Sequence, residues 1–101
     1  MKSIIQSEDE CFLCRKIYNL STNNTEVHHC LHGSMRKLAD EDGLTVKLCK
    51  VHHRRLHDKG EFDKSLQIIA QNAYITKLKL EGMTEQEARE RFRSRYGKFY
   101  E

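Results

Sequence analysis

The residues able to ligate metal or move protons are concentrated in one stretch. Four Cys and six His lie between Cys11 and His57, and none follows. Cys11-x-x-Cys14 and Cys49-x-x-His52 are two pairs at the spacing that lets two side chains grip one ion. Together they form a Cys₃His set, a closed tetrahedral shell for zinc. A closed shell leaves no position for water, so such an ion holds the fold and performs no chemistry. Small zinc modules gain on the order of 10 kcal/mol from this arrangement. The rival readings are buried cysteines without metal and a CxxC redox pair. The redox pair belongs with a βαβ context, which this pattern lacks. Cys30 is left over and reads as a small apolar residue.

Five histidines remain: His28, His29, His32, His53 and His57. His53 and His57 are i, i+4 on an expected helix and project from one face. His28 and His29 are adjacent on an expected strand and point to opposite faces unless a bulge intervenes. One of them is placed to join His53 and His57 as a third ligand, and the other to stand beside the ion as a base. Three protein ligands with open positions make a catalytic set. Neutral imidazole is a suitable general base near pH 7. His52 and His53 are both candidates to face the zinc; the i, i+4 relation to His57 favours His53 for the second ion. Taken singly, each of these features is more often an inert surface histidine.

These side chains need elements to position them. Residues 1–10 read as a loose polar lead-in, and Ser21–Asn24 as a turn. Thr25–Leu31 reads as a strand. Gly33–Gly43 reads as a polar loop, with room for a helical turn. Leu44, Val46 and Leu48 alternate, which is the pattern of a half-buried strand. Cys49–His57 turns helical and runs to Gly60. Asp63 is a candidate N-cap for a second helix, with Leu66, Ile69, Ala70, Ala73, Tyr74 and Leu78 inward. Gly82 ends it. Thr84-Glu-Gln-Glu87 fits a capping box opening a third helix, with Ala88, Phe92 and Tyr96 at i, i+4, i+8. Gly97 ends it. The fold class expected is α+β: a small strand–strand–helix core over 11–60 with two appended helices over 61–101, all in one domain spanning 1–101.

Composition sets the bounds. The chain has 101 residues, of which 38% are hydrophobic and 33% charged, with no Pro. That is one small domain with a lean core, for which a bound ion is a useful staple. No run of about 18 apolar residues marks a membrane span, and no apolar stretch after Met1–Lys2 marks a secretory signal. A net charge of +3 is weak evidence for a nucleic-acid partner.

Glu26-Val-His28-His29, a polar loop, Gly43-Leu-Thr-Val-Lys-Leu-Cys49 and His52-His53-Arg-Arg-Leu-His57 resemble the HNH endonucleases, which are ββα-metal (His-Me finger) nucleases. The Cys/His frame resembles the zinc-stapled subset. The stretch from His28 to about Ala70 looks like small phage and prophage nucleases akin to the recombination enhancement function (Ref) proteins. The resemblance implies a ββα-metal core and hydrolysis of DNA phosphodiester bonds. It makes His29 the general base, and His28, His53 and His57 the ligands of a catalytic Mg²⁺ or Mn²⁺. It implies DNA as partner, a recombinase or other phage protein beside it, and the cytoplasm of a bacterial host. In one respect the chain departs from the family. The central Asn, which braces the loop carrying the base, is replaced near the second strand by Gly43 and Leu44. A backbone group or His32 is the candidate substitute.

Arg36 and Lys37 between the strands, and Arg54 and Arg55 on the metal-bearing helix, are candidate phosphate contacts. Solvated surface charge is the plainer reading of each. The Arg-rich end, with Tyr96, Phe99 and Tyr100, fits either a DNA grip or a helix docked on the core. Two rivals to the nuclease stand: a non-catalytic zinc module that binds DNA or protein, favoured by the missing Asn, and a redox-sensing thiol protein.

Overall fold

The computed structural model describes residues 2–101. Strands β1 (Thr25–His29) and β2 (Thr45–Cys49) form an antiparallel pair in which His28 lies opposite Val46 and His29 opposite Thr45. A two-stranded ribbon is marginal by itself, and helices close around this one. They are α1 (Phe12–Tyr18), α2 (Arg36–Asp42), α3 (Lys50–Lys59), α4 (Asp63–Leu80) and α5 (Glu85–Tyr96). A single 3-10 turn, Gly33–Met35, leads into α2. The fold is thus a small α+β arrangement in which β1, β2 and α3 follow one another around the Cys and His residues.

Several local expectations are corrected. The polar lead-in is not loose. Ile4 N–H donates to the Gly43 carbonyl at 2.9 Å, Ser3 Oγ donates to the Thr45 carbonyl, and Lys47 N–H donates to Gln6 Oε1 at 2.8 Å. The lead-in therefore lies along the free edge of β2 and satisfies its peptide groups. For the same reason β2 is not half-buried: Thr45, Val46, Leu48 and Cys49 are all buried. The segment after Cys11 forms a helix that short-range periodicity does not signal. The Gly33–Gly43 loop is largely helical, ending at Gly43 with φ of 73°. Asp63 is not the N-cap of α4. Phe62 takes that place with φ of 67°, and Asp63 is the first helical residue with its carboxylate directed elsewhere.

The two C-terminal helices are as expected. The Thr84–Glu87 capping box is formed in both directions, and Ala88, Phe92 and Tyr96 are buried. Tyr74 meets Phe92 edge-on with ring centres 5.6 Å apart. Arg95 Nε donates to Asp42 Oδ2 at 2.6 Å, and the Tyr96 hydroxyl donates to the same oxygen. Arg89 and Arg93 lie over the Phe99 ring. Tyr96 and Tyr100 are buried, so these aromatics dock α5 and the tail onto the body. Among the described residues, no helix is long and apolar enough to cross a membrane.

Candidate metal centres

Cys11, Cys14, Cys49 and His52 converge from opposite ends of the first half of the chain, and all four are buried. Cys11 is the N-cap of α1, and its sulfur accepts the Cys14 N–H at 3.4 Å. Cys49 is the N-cap of α3, one turn before His52. Cys14 Sγ lies 3.8 Å from Cys49 Sγ. His52 Nδ1 lies 3.5 Å from Cys11 Sγ, 3.5 Å from Cys14 Sγ and 3.4 Å from Cys49 Sγ. A tetrahedral zinc with ordinary bond lengths sets its sulfurs about 3.8 Å apart and its sulfur–nitrogen edges at about 3.6 Å. The side chains already hold that shape. Burial pushes the Cys14 thiol up to about 11, so a cation beside it would be needed to hold Cys14 as thiolate. Cys30 is outside this set. It is fully buried, burial pushes its thiol up to about 12, and it serves as a core residue.

A second convergence lies on the other side of α3. One donor atom each from His28, His53 and His57 falls within 4.8 Å of the others. His53 Nδ1 faces Glu26 Oε1 at 2.9 Å, which fixes the N–H there and leaves the Nε2 lone pair free. The hydrogen bond from His53 lowers the Glu26 pKa, and the charges of His53, Lys50 and Arg54 add to it. His53 Nε2 and His57 Nε2 are 3.1 Å apart. Two imidazoles on one ion with bonds of 2.0–2.1 Å place their nitrogens about 2.9–3.3 Å apart. His28 is 2% exposed and its Nε2 is buried without a hydrogen-bond partner. An orphaned buried nitrogen costs about 1–3 kcal/mol, which an ion would offset. Burial, then the neighbouring His32, His53 and His57, hold the His28 pKa down to about 4, so the ring is neutral and its lone pair available. The residues fit a divalent cation.

His29 is not among these donors. Its ring turns toward α2, where Nε2 faces Asp40 Oδ1 at 3.2 Å. With the carboxylate accepting, Nε2 carries the proton and Nδ1 the lone pair. His29 nevertheless lines the same cleft of about 140 Å³ as His28, His32, Arg36, His53 and His57. An imidazole base beside three imidazoles that could hold an ion, in a cleft that opens to solvent, can take a proton from water near a bound anion.

Backbone groups tie the end of β1 to the segment between α2 and β2. Cys30 N–H, next to His29, donates to the Leu44 carbonyl at 3.1 Å, and Leu44 N–H donates to the Ala39 carbonyl at 2.8 Å. His32, the other candidate brace, is instead engaged with Asp63, Nε2 to Oδ1 at 2.6 Å. Arg36 lines the cleft, and Lys37 lines the adjoining groove with His29 and Asp40. Arg54 and Arg55 are exposed on α3 outside the cleft. Sequence reasoning missed Asp40, Glu26 and Asp63. Glu26 had a signal, because it lies two residues before His28 and so shares its face of β1. Asp40 and Asp63 are brought in by tertiary packing and had none.

No protein-family model, curated protein or solved structure matches this chain. The site is therefore read from its own geometry.

Proposed function

We propose that this protein is a metal-dependent DNA endonuclease of the HNH type, stapled by a structural zinc. One observation carries the reading. Three histidines with free or orphaned nitrogens, His28, His53 and His57, converge in a cleft that also holds a carboxylate-oriented imidazole, His29. A purely structural site has no use for the fourth histidine or for the opening.

His29 Nδ1 accepts a proton from the attacking water, while Asp40 holds the ring and offsets the charge it gains. His28, His53 and His57 hold the cation. When bound, a divalent cation there neutralises the scissile phosphate and the leaving 3′ oxygen. Of the ions the family resemblance implies, three nitrogen donors suit Mn²⁺ better than Mg²⁺, which takes oxygen. Arg36 on the cleft wall and Lys37 beside it are the phosphate contacts best placed to orient a strand, with Arg54 and Arg55 as outer contacts. The bacterial cytoplasm and a phage recombination partner remain part of this reading through the resemblance alone.

The test is nicking of supercoiled plasmid in Mg²⁺ or Mn²⁺, with an EDTA control and with His29→Ala purified identically. Metal-dependent cutting that His29→Ala loses, with zinc content and helicity unchanged, is the expected result. Equal cutting by both proteins would assign the activity to a contaminant. No cutting of plasmid, single-stranded or branched DNA by the wild type would leave the zinc-stabilised binding module as the better description.

A further inference from the structure

His28 belongs to two ligand sets. Besides the trio with His53 and His57, one donor atom each from His28, His32 and Asp63 lies within 4.8 Å of the others. His32 sits just beyond β1, and Asp63 opens α4, so this second set ties the end of the strand to the helical extension. The rings of His28 and His32 are 5.4 Å apart, centre to centre. Asp63 is delivered by a turn in which Phe62, a residue with a side chain, holds φ of 67°. That conformation costs about 1 kcal/mol or more and persists only where the surroundings impose it. The turn is also fixed by Asp63 N–H donating to the Gly60 carbonyl at 3.1 Å and by the Phe62 ring meeting His52 edge-on. Asp63 Oδ1 and His32 Nε2 are already joined at 2.6 Å, and His28, whose buried Nε2 has no partner, is the third donor beside them.

We infer that His28, His32 and Asp63 form a second seat for a divalent first-row transition ion, and that one ion occupies either this seat or the His28–His53–His57 seat. The inference rests on the proposed cation reading only through the shared His28. That sharing limits the pair to one ion, because each set draws one donor from His28 and Nε2 is its orphaned buried nitrogen. The seats differ in charge. The His53–His57 side offers three imidazoles, with the Glu26 carboxylate one ring further out on His53 Nδ1. The Asp63 side offers two imidazoles and a carboxylate, a donor set suited to ions such as Mn²⁺ and Fe²⁺. Without DNA, Coulomb attraction favours the seat whose carboxylate is itself a donor, because Asp63 would touch the ion while Glu26 stands behind an imidazole. A bound phosphate would bring its own negative charge to the trisimidazole seat and remove that bias. Asp63 thus holds the ion in waiting, and the ligand shared between the seats lets it change position without leaving the protein.

The experiment uses the full chain with its zinc in place and Mn²⁺ alone as the probe, without DNA. Mn²⁺ is the weakest competitor in the divalent series and leaves the thiolate set to zinc. Free Mn²⁺ is counted by electron paramagnetic resonance during titration, and zinc content and circular dichroism check each variant. The wild type should bind one Mn²⁺. Asp63→Asn and His32→Ala should each raise its Kd about tenfold or more. The double variant His53→Ala/His57→Ala should keep one Mn²⁺ with a Kd within a few-fold of wild type. Loss of Mn²⁺ from the double variant, or an unchanged Kd in Asp63→Asn, would overturn the second seat. Two Mn²⁺ on the wild type would overturn its single-ion form. His32→Gln replaces His32→Ala if that variant fails to retain zinc, and Asp63→Ser likewise replaces Asp63→Asn. Failure here is distinct from failure of the nuclease reading, since His29→Ala alters no ligand: cutting that needs His29 with no effect of Asp63 on Mn²⁺ removes only the second seat, and Mn²⁺ binding that needs Asp63 with no cutting removes only the nuclease.

Discussion

Asp40 Oδ1 accepts a hydrogen bond from His29 Nε2 at 3.2 Å, across the gap between α2 and the end of β1. This contact selects the tautomer of His29 and aims its other nitrogen at the cleft. In the proposed nuclease, Asp40→Ala should slow plasmid nicking about 10- to 100-fold, the usual loss when a carboxylate orienting a functional histidine is removed. Asp40→Asn still offers an acceptor and should retain more of the rate. DNA affinity by fluorescence anisotropy and zinc content should not change in either variant. Asp40 is mostly exposed, so a large fall in melting temperature would show it to be structural instead.

The Cys₃His cluster joins α1 to the β2–α3 junction, and the ribbon beneath it has two strands only. Stripping zinc with a strong chelator should unfold the region around β1, β2 and α3, because the ion's stabilisation of about 10 kcal/mol matches the whole stability of a small domain. Circular dichroism before and after chelation checks this. Cys49→Ala should behave like the chelated protein. Cys30→Ala should keep one zinc and lose only about 1–2 kcal/mol in urea titration, since it removes a packed sulfur and no ligand.

The order β1, β2, α3, α4, α5 and the grouping of the Cys and His side chains were legible because each rests on short-range pattern, whereas α1 and the helical part of Gly33–Gly43 were not. The CxxC and CxxH spacings, the i, i+4 relation of His53 to His57, the alternation before Cys49 and the capping box at Thr84 are all local. What was not legible came from packing between distant segments. The lead-in looked loose because its binding partners, Gly43, Thr45 and Lys47, lie some forty residues away. Thr45 and Cys49 on the second face of β2 are buried as well, while Lys47 between them stays partly exposed. Asp63 looked like an N-cap because it is an acid before an apolar period, but His32 takes its carboxylate and Phe62 opens the helix. The basic stretch of α5 left two readings open, and the ion pair of Arg95 with Asp42 and the burial of Tyr96 and Tyr100 decide for docking.

Gly43 closes α2 just before β2. A side chain there meets two obstacles. The backbone has φ of 73°, and an added Cβ would press into the Lys2 carbonyl oxygen and come within 3.2 Å of Ile4. Gly43→Asn should therefore destabilise the protein by about 1–3 kcal/mol, as strain and displaced lead-in add. Gly97→Asn is the control: its φ is 78°, but nothing lies within 4 Å of the added atom. Asn tolerates that conformation, so the control should lose under about 1 kcal/mol. Urea denaturation of the two variants separates backbone strain from the clash.

Gln71 is 2% exposed in the middle of α4, where an apolar side chain would be the ordinary choice. Its amide closes a pair of hydrogen bonds with one distant residue. Tyr100 N–H donates to Gln71 Oε1 at 2.6 Å, and Gln71 Nε2 donates to the Tyr100 carbonyl at 2.8 Å. The Tyr100 hydroxyl in turn reaches Met35 Sδ at 3.7 Å, in the turn that leads to Arg36 on the cleft wall. The C-terminal extension thus buttresses the segment that frames the site. Gln71→Leu keeps the volume but strands both peptide groups of Tyr100 in a buried place. It should cost about 2–3 kcal/mol in urea titration, because an unpaired buried donor or acceptor loses its full desolvation energy. Removing residues 97–101 from that variant takes away the stranded groups together with the aromatic contacts of Phe99 and Tyr100. If the peptide bonds are what Gln71 serves, the substitution should then cost much less in the shortened chain than in the full one. An equal cost in both would mean that Gln71 stabilises α4 through its packing, and that the tail is held by Phe92 and its neighbours alone.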